Sequence, residues 1–510
     1  MSTNLLAILP EVILTITGVI VMMAEPMIPV GTSRKALGWL TALGTALAGG
    51  SAILQHRVVD SNGAGLLSAF YGTVQVDNFS VFFHLLIAAI VIAVVLASLD
   101  YFDGPVTHAG EYFALVCFGA TGMMLMTCSV ELLLVFIGLE ISSIATYILA
   151  GFRKGQATAS ESALKYFLLG SFATAFTLYG IALAFGATGS TSLAVLALTL
   201  HSSMTPTLAV LSIAMMMIGF GFKVSAAPFH VWTPDVYQGA PAPVVALMST
   251  APKAAVFAVL LRVLFNGAPE LRGEWLLIIL VFAVASMCIG NFGALMQKDV
   301  KRLLAYSSIA HAGYLLVGFV GIHQEAVSTA CFYTAAYAAM NVGALLVITQ
   351  LGGYEEKART IDDFTGMGLK RPVLASLLGF FLISMIGIPF TGGFFGKFYV
   401  FSTAVHSGMT WLAIVGLANS GIACFYYLRL LIALFSRPVG QTGAEPAAKV
   451  SPIAVVAVAA CALGTLALGI VPGRVLNLLQ RSTPTLVVGP VLTPDAAPGP
   501  VAETPVSAVR

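Results

Sequence analysis

NFSVFFHLLIAAIVIAVVLASL at 78–99 contains no Asp, Glu, Lys or Arg. At 1.5 Å per residue a helix of that length covers the ~30 Å hydrocarbon core of a bilayer. Runs of the same kind occupy 275–297, 303–324, 326–354, 372–396, 398–428 and 450–473. Reading every such run between charged or turn-forming punctuation predicts about fourteen transmembrane spans. They fall near 4–24, 35–55, 78–99, 111–128, 130–152, 160–187, 207–232, 240–265, 275–297, 302–321, 325–350, 372–403, 409–436 and 451–472. The runs do not alternate polar and apolar residues, so the fold class is an all-α polytopic membrane protein rather than a β-barrel. Gly and Ser are frequent inside them, which suits close helix packing in lipid.

Composition agrees. Of 510 residues 58% are apolar and 9% charged, and the mean hydropathy is +0.96, whereas a soluble globule carries about 25% charged residues. The 24 Lys+Arg balance 22 Asp+Glu, which leaves no basic excess for a nucleic-acid partner. Cysteines 117, 128, 288, 331, 424 and 461 form no C-x-x-C pair, so no zinc ribbon, iron–sulfur cluster or disulfide framework is expected, and no metal site. The first run lacks a basic leader and a small-residue cleavage site and reads as a retained helix. Residues 483–510 hold six prolines and read as a disordered tail.

Orientation follows from Lys and Arg placement. Thirteen lie in loops opposite the termini, including Arg34, Arg153, Lys301 and Arg302, against six on the termini's side. Both termini are therefore expected outside, in the periplasm of a bacterial inner membrane.

Five basic residues fall within the expected spans: Lys165, Lys223, Lys253, Lys397 and Arg429. Glu140 joins them in LVFIGLEISSIATYIL. A Lys or Asp at a helix centre costs about 2.5–3.5 kcal/mol on insertion scales. Arg429 reads as structural, because guanidinium does not deprotonate and can snorkel. Lys165 fits a structural pair or a relay equally. Glu140, Lys223, Lys253 and Lys397 read as proton carriers: one carboxylate cannot neutralise three lysines, and lysines buried without partners exchange protons near neutral pH. Lys223 precedes Pro228, and Lys397 follows Pro389, Gly392, Gly393 and Gly396, so spans seven and twelve are expected to be broken beside a cation. His230 and His311 are possible further relay groups or satisfied core histidines.

As a set these segments resemble a family. LPEVIL at 9–14, GLEISSIATYIL at 138–149, ESALKYFLLGSFATAF at 161–176, PFHVWTPDVYQGAPAPV at 228–244, KRLLAYSSIAHAGY at 301–314 and IGIPFTGGFFGKF at 386–398 look like the antiporter-like membrane subunits of respiratory complex I, the proton-pumping NADH:quinone oxidoreductase. Fourteen spans without a long lateral C-terminal helix, and Lys397 where the M pattern has glutamate, set the chain apart from the L and M branches. The resemblance implies a three-helix segment at 1–110, inverted five-helix repeats within 111–265 and 266–436, a last helix within 437–480, and a tail at 481–510 without a role. It implies Glu140 and Lys223 as a coupled pair, Lys253 as central relay and Lys397 as outer exit. It further implies a non-redox part in the enzyme: FMN and iron–sulfur clusters sit in other subunits, this chain binds no cofactor, and subunits M and K are its neighbours. A cation/proton antiporter subunit or a membrane-bound hydrogenase subunit would share this machinery, and a scaffold with purely structural buried charges is a rival of another class.

Overall fold

A backbone in lipid must satisfy every N–H and C=O internally, so apolar runs become helices. In the computed structural model, which describes residues 3–29, 31–61, 65–103, 108–200, 206–356, 358–437 and 450–481, thirteen helices among the described residues are long and apolar enough to cross a membrane. The first six spans are α1 (Leu9–Ala24), α2 (Lys35–Ser61), α3 (Asn78–Ser98), α4 (Ala109–Cys128), α5 (Leu132–Ala150) and α6 (Ala157–Thr188). Leu66–Ala69 (β1) and Val74–Asp77 (β2) form an antiparallel hairpin between α2 and α3. The sequence reading missed it, because its strands are only four residues long.

The seventh span is α7 (Pro206–Val224), continued after a gap by α8 (Trp232–Gly239). The break falls earlier than the expected end at 232. Ser225 adopts left-handed backbone at φ +62°, directly after the last turn of α7, which carries Lys223. The eighth span corrects the expectation of an unbroken helix over 240–265: it consists of α9 (Ala242–Met248) and α10 (Ala251–Leu261). Pro252, in the first turn of α10, has no N–H to give the Met248 carbonyl and disfavours helical backbone in the residue before it. That discontinuity sits immediately before Lys253.

The remaining spans are α11 (Arg272–Leu295), α12 (Val300–Val317), α13 (His323–Gly352), the half-helices α14 (Pro372–Ile386) and α15 (Gly392–His406), α16 (Thr410–Phe435) and α17 (Pro452–Ile470). A short α18 (Pro472–Arg481) follows. Together α14 and α15 replace the single expected span at 372–403. Gly387 closes α14 at φ +95°, a conformation that only glycine takes without strain. The tail expected at 481–510 lies outside the described residues from 482 onward.

The eighth, tenth and eleventh spans are enclosed by the rest. Lys253 and His311 therefore lie in the middle of the subunit, and Lys223 and Lys397 lie toward either side.

Candidate functional site

Each lysine expected at depth is buried: Lys223 is 7% exposed, Lys253 2% and Lys397 5%. None is in an ion pair among the described residues; each donates to neutral groups. Lys223 Nζ donates to Ser143 Oγ at 2.6 Å and to the Tyr147 hydroxyl at 2.9 Å, and lies 4.8 Å from the Tyr147 ring centroid. Glu140, Ser143 and Tyr147 follow one another at helical spacing along one face of α5. The Glu140 carboxylate is within electrostatic reach of Lys223 without touching it, and its Oε1 is buried without a hydrogen-bond partner. Trp232 Nε1 donates to the Phe222 carbonyl at 3.0 Å and so satisfies one of the acceptors that the end of α7 leaves free.

Lys253 Nζ donates to Ser308 Oγ at 2.6 Å, and Ser308 Oγ also accepts from the Tyr337 hydroxyl at 2.7 Å. One turn along α12, His311 Nδ1 is 2.8 Å from the Tyr333 hydroxyl and Nε2 is 3.2 Å from that of Tyr427. Tyr427 in turn bonds Ser307. A cavity of about 10 Å³ is lined by Lys223 and Ser143 on one side and Pro252 on the other. That is about the space one water needs, and Pro252, next to Lys253 in the chain, is one of its walls.

Lys397 owes its position to the break in span twelve. Its Nζ donates to the Met385 carbonyl at 2.8 Å, the Ile386 carbonyl at 3.0 Å and Ser420 Oγ at 2.8 Å. Those carbonyls belong to the last turn of α14, where no further helical N–H is available and the helix dipole is negative. The Lys397 side chain lines a largely apolar cavity of about 390 Å³ between α14, α15 and α16.

Lys165 stands apart from this line. Its side chain is 41% exposed and pairs with Glu161 at 2.7 Å and Asp235 at 2.6 Å. Arg302 holds the other Asp235 oxygen at 2.6 Å. Asp235 thus bridges two cations. These residues border a polar cleft of about 260 Å³. His230 lies in the gap between α7 and α8, half-buried, and shares no hydrogen bond with the lysines among the described residues. Arg429 donates to the Leu295 and Gln297 carbonyls at 3.1 and 2.5 Å, as expected of a structural cation.

Sequence reasoning passed over Glu356. This loop carboxylate is 4% exposed. It pairs with Arg153 at 3.0 Å and Lys301 at 2.6 Å and accepts from the Ala242 N–H at 2.7 Å. Lys301 also reaches the Ala240 carbonyl at 2.9 Å and Arg153 that of Gly239 at 3.3 Å, so the cluster grips the junction of α8 and α9. Its only signal in the sequence was a charged loop. The partners Tyr147, Ser307 and Ser308 stood in quoted segments; Tyr333, Tyr337 and Tyr427 carried no signal beyond being tyrosines inside spans.

Residues 129–423 match the family described as NADH:quinone oxidoreductase/Mrp antiporter, TM. The chain is 51% identical over 489 residues to NADH-quinone oxidoreductase subunit N 2 of Koribacter versatilis (strain Ellin345), covering 95% of this chain and 98% of that protein. The chain belongs to the NADH-quinone oxidoreductase subunit N family. Subunit N 1 of Solibacter usitatus (strain Ellin6076) is 44% identical, with 94% and 97% covered. Among solved structures, a chain of respiratory complex I from Thermus thermophilus with bound aureothin superposes at TM-score 0.77 and 35% identity, covering 92% of this chain and 99% of that one. A chain of the Mrp complex from Dietzia sp. DQ12-45-1b superposes at 0.81 with 18% identity, covering 95% and 97%; this likeness is one of fold alone. The antiporter shares the scaffold, and sequence identity places this chain in the subunit N branch left once L and M were set aside.

Proposed function

We propose that this chain is a proton-translocating membrane subunit of an NADH:quinone oxidoreductase, without redox chemistry of its own. The observation that carries this reading is three buried lysines held by hydroxyls and carbonyls instead of carboxylates. A buried ammonium without a counter-charge is costly to keep ionised, and unlike the permanently charged guanidinium of Arg429 a lysine can lose its proton. A lysine facing neutral acceptors can instead give up its proton and leave a neutral amine among satisfied neighbours.

In this reading the polar cleft at Lys165, Asp235 and Arg302 is the water-facing mouth, and Lys165 and His230 are auxiliary. Glu140 biases Lys223 through space. Opposite charges about 6 Å apart at an effective dielectric of about 20 interact by about 3 kcal/mol, enough to switch a lysine between holding and releasing a proton. Lys253 with Ser308 and His311 forms the centre, and Lys397 the outer exit. Two five-helix units within 111–265 and 266–436 serve as half-channels. FMN and iron–sulfur clusters belong to other subunits, the neighbours are antiporter-like subunit M and small subunit K, and the complex lies in a bacterial inner membrane with both termini periplasmic.

Purification in mild detergent tests this. The chain should migrate in a large assembly with NADH dehydrogenase activity. Recovery as a free monomer, or with small antiporter subunits, overturns the assignment.

A further inference from the structure

The quoted LPEVIL segment has no part in the proton line, yet its carboxylate is buried in a mixed donor cluster. Glu11 on α1, His84 on α3 and Cys128 at the end of α4 are 4%, 0% and 0% exposed, and one ligating atom from each lies within 4.8 Å of the others. His84 Nε2 is 3.5 Å from Glu11 Oε1, and Cys128 Sγ is 3.8 Å from the same oxygen. Around a tetrahedral Zn²⁺ with ordinary bond lengths, N and O sit about 3.4 Å apart and O and S about 3.6 Å. Both separations in the protein are within ~0.2 Å of those edges. The Met124 carbonyl, which accepts from Thr127 Oγ1 at 2.8 Å and lies 3.2 Å from His84 Nε2, would turn its remaining lone pair to the ion once Nε2 is a ligand. A second observation concerns Glu11: its other oxygen, Oε2, is buried with no hydrogen-bond partner, an expensive arrangement for a carboxylate left to itself and one that an ion held by the carboxylate relieves.

We propose that Glu11, His84 and Cys128 bind one zinc-class divalent ion that ties α1, α3 and α4 together beneath the hairpin. Thiolate, imidazole and carboxylate form a donor set for Zn²⁺ rather than Mg²⁺ or Ca²⁺. Binding displaces the thiol proton to solvent, and thiolate plus carboxylate then neutralise the dication. The neighbouring Arg262–Asp77 pair, at 2.6 Å, neutralises itself. Spacings of 73 and 44 residues hid the set from any motif search.

The test uses the full chain purified in detergent from zinc-supplemented and cobalt-supplemented cells, then dialysed against EDTA. The wild type is expected to retain about one zinc per chain. Glu11→Gln, His84→Gln and Cys128→Ser should each retain at least tenfold less, while Cys288→Ser, whose thiol accepts from Asn419 on α16, keeps its metal. The cobalt form should show tetrahedral d–d bands and a thiolate-to-cobalt absorption in the near ultraviolet. This spectrum is read on the wild type and decides the matter if the variants fail to fold. Less than a tenth of a zinc in the wild type, metal retained equally by folded variants, or a cobalt spectrum without thiolate absorption overturns the proposal. It would leave His84 Nε2–H donating to the Met124 carbonyl.

Discussion

The Lys223 ammonium donates to the Ser143 hydroxyl at 2.6 Å, and Ser143 lies one turn beyond Glu140 on the same helix. In the proposed relay the carboxylate would act on the lysine through space, since the two share no ion pair or hydrogen bond among the described residues. A group coupled in this way changes proton affinity when its charge changes, without breaking a salt bridge.

Glu140→Gln removes that charge and keeps the shape. Coupled NADH:quinone turnover should fall by about an order of magnitude, with electron transfer to a soluble acceptor intact. Glu140→Asp should be milder. Glu131 caps α5, accepting from the Leu133 and Leu134 N–H groups at 3.1 and 2.7 Å. Glu131→Gln should thus cost about 1 kcal/mol of stability and leave the turnover of assembled complex unchanged. Equal loss of coupling in both Gln variants would refute the through-space role of Glu140.

Lys253→Ala leaves Ser308 with Tyr337 as its side-chain partner and removes the exchangeable proton at the centre of the proposed relay. Proton pumping in reconstituted vesicles should drop by about tenfold. Lys253→Arg restores a permanent cation but no exchangeable proton, and it should pump no better. Full pumping in the Arg variant means that fixed charge is enough.

At Lys397 the two roles separate. Arg can still donate to the Met385 and Ile386 carbonyls, so Lys397→Arg should assemble at wild-type level and pump poorly. Lys397→Ala removes the donor to the Met385 carbonyl and leaves the Ile386 carbonyl with only the long Ser420 bond at 3.4 Å, and should lose assembly as well, read on native gels. Equal assembly of the two variants would remove the capping argument.

Glu356→Gln leaves Arg153 and Lys301 buried without their counter-charge, at a cost of about 3 kcal/mol, measurable by thermal unfolding in detergent. Burial opposes charge on this carboxyl, but Lys301 and Arg153 hold it below its ordinary value. The depressed folded value means that its stabilisation is complete above the unfolded carboxyl range of about 4.3 and lost as pH falls through the folded value. The wild type should lose stability over that acid window, and Glu356→Gln should show a shallower decline there. An unchanged acid limb would exclude Glu356 as its source.

Hydropathy and charge placement are local properties, and a run such as 78–99 carries its own reason to cross a membrane. The helical spans, thirteen of them long and apolar enough to cross where about fourteen were expected, the burial of Lys223, Lys253 and Lys397, and the breaks near Pro228 and Pro389 were legible for that reason. The break at Ser249–Thr250 was legible in principle from Pro252, but the continuous apolar run around it masked the signal. Lys165 looked intramembrane because its span is long, and only its pairing with Glu161 and Asp235 shows that it faces the cleft.

Taken alone, the sequence determined the solvent of this protein, its helices and the three lysines, Lys223, Lys253 and Lys397, that lie buried within them. The tertiary structure decided what those charges touch. Lys223 meets α5 eighty residues away, Lys253 meets Ser308 fifty-five residues away, and Arg153 meets Glu356 across 203 residues. Glu11, His84 and Cys128 converge from three helices. Such contacts arise from the packing of helices that hydropathy makes interchangeable, and the partner of a buried polar atom is set by where neighbouring helices place their hydroxyls and carbonyls.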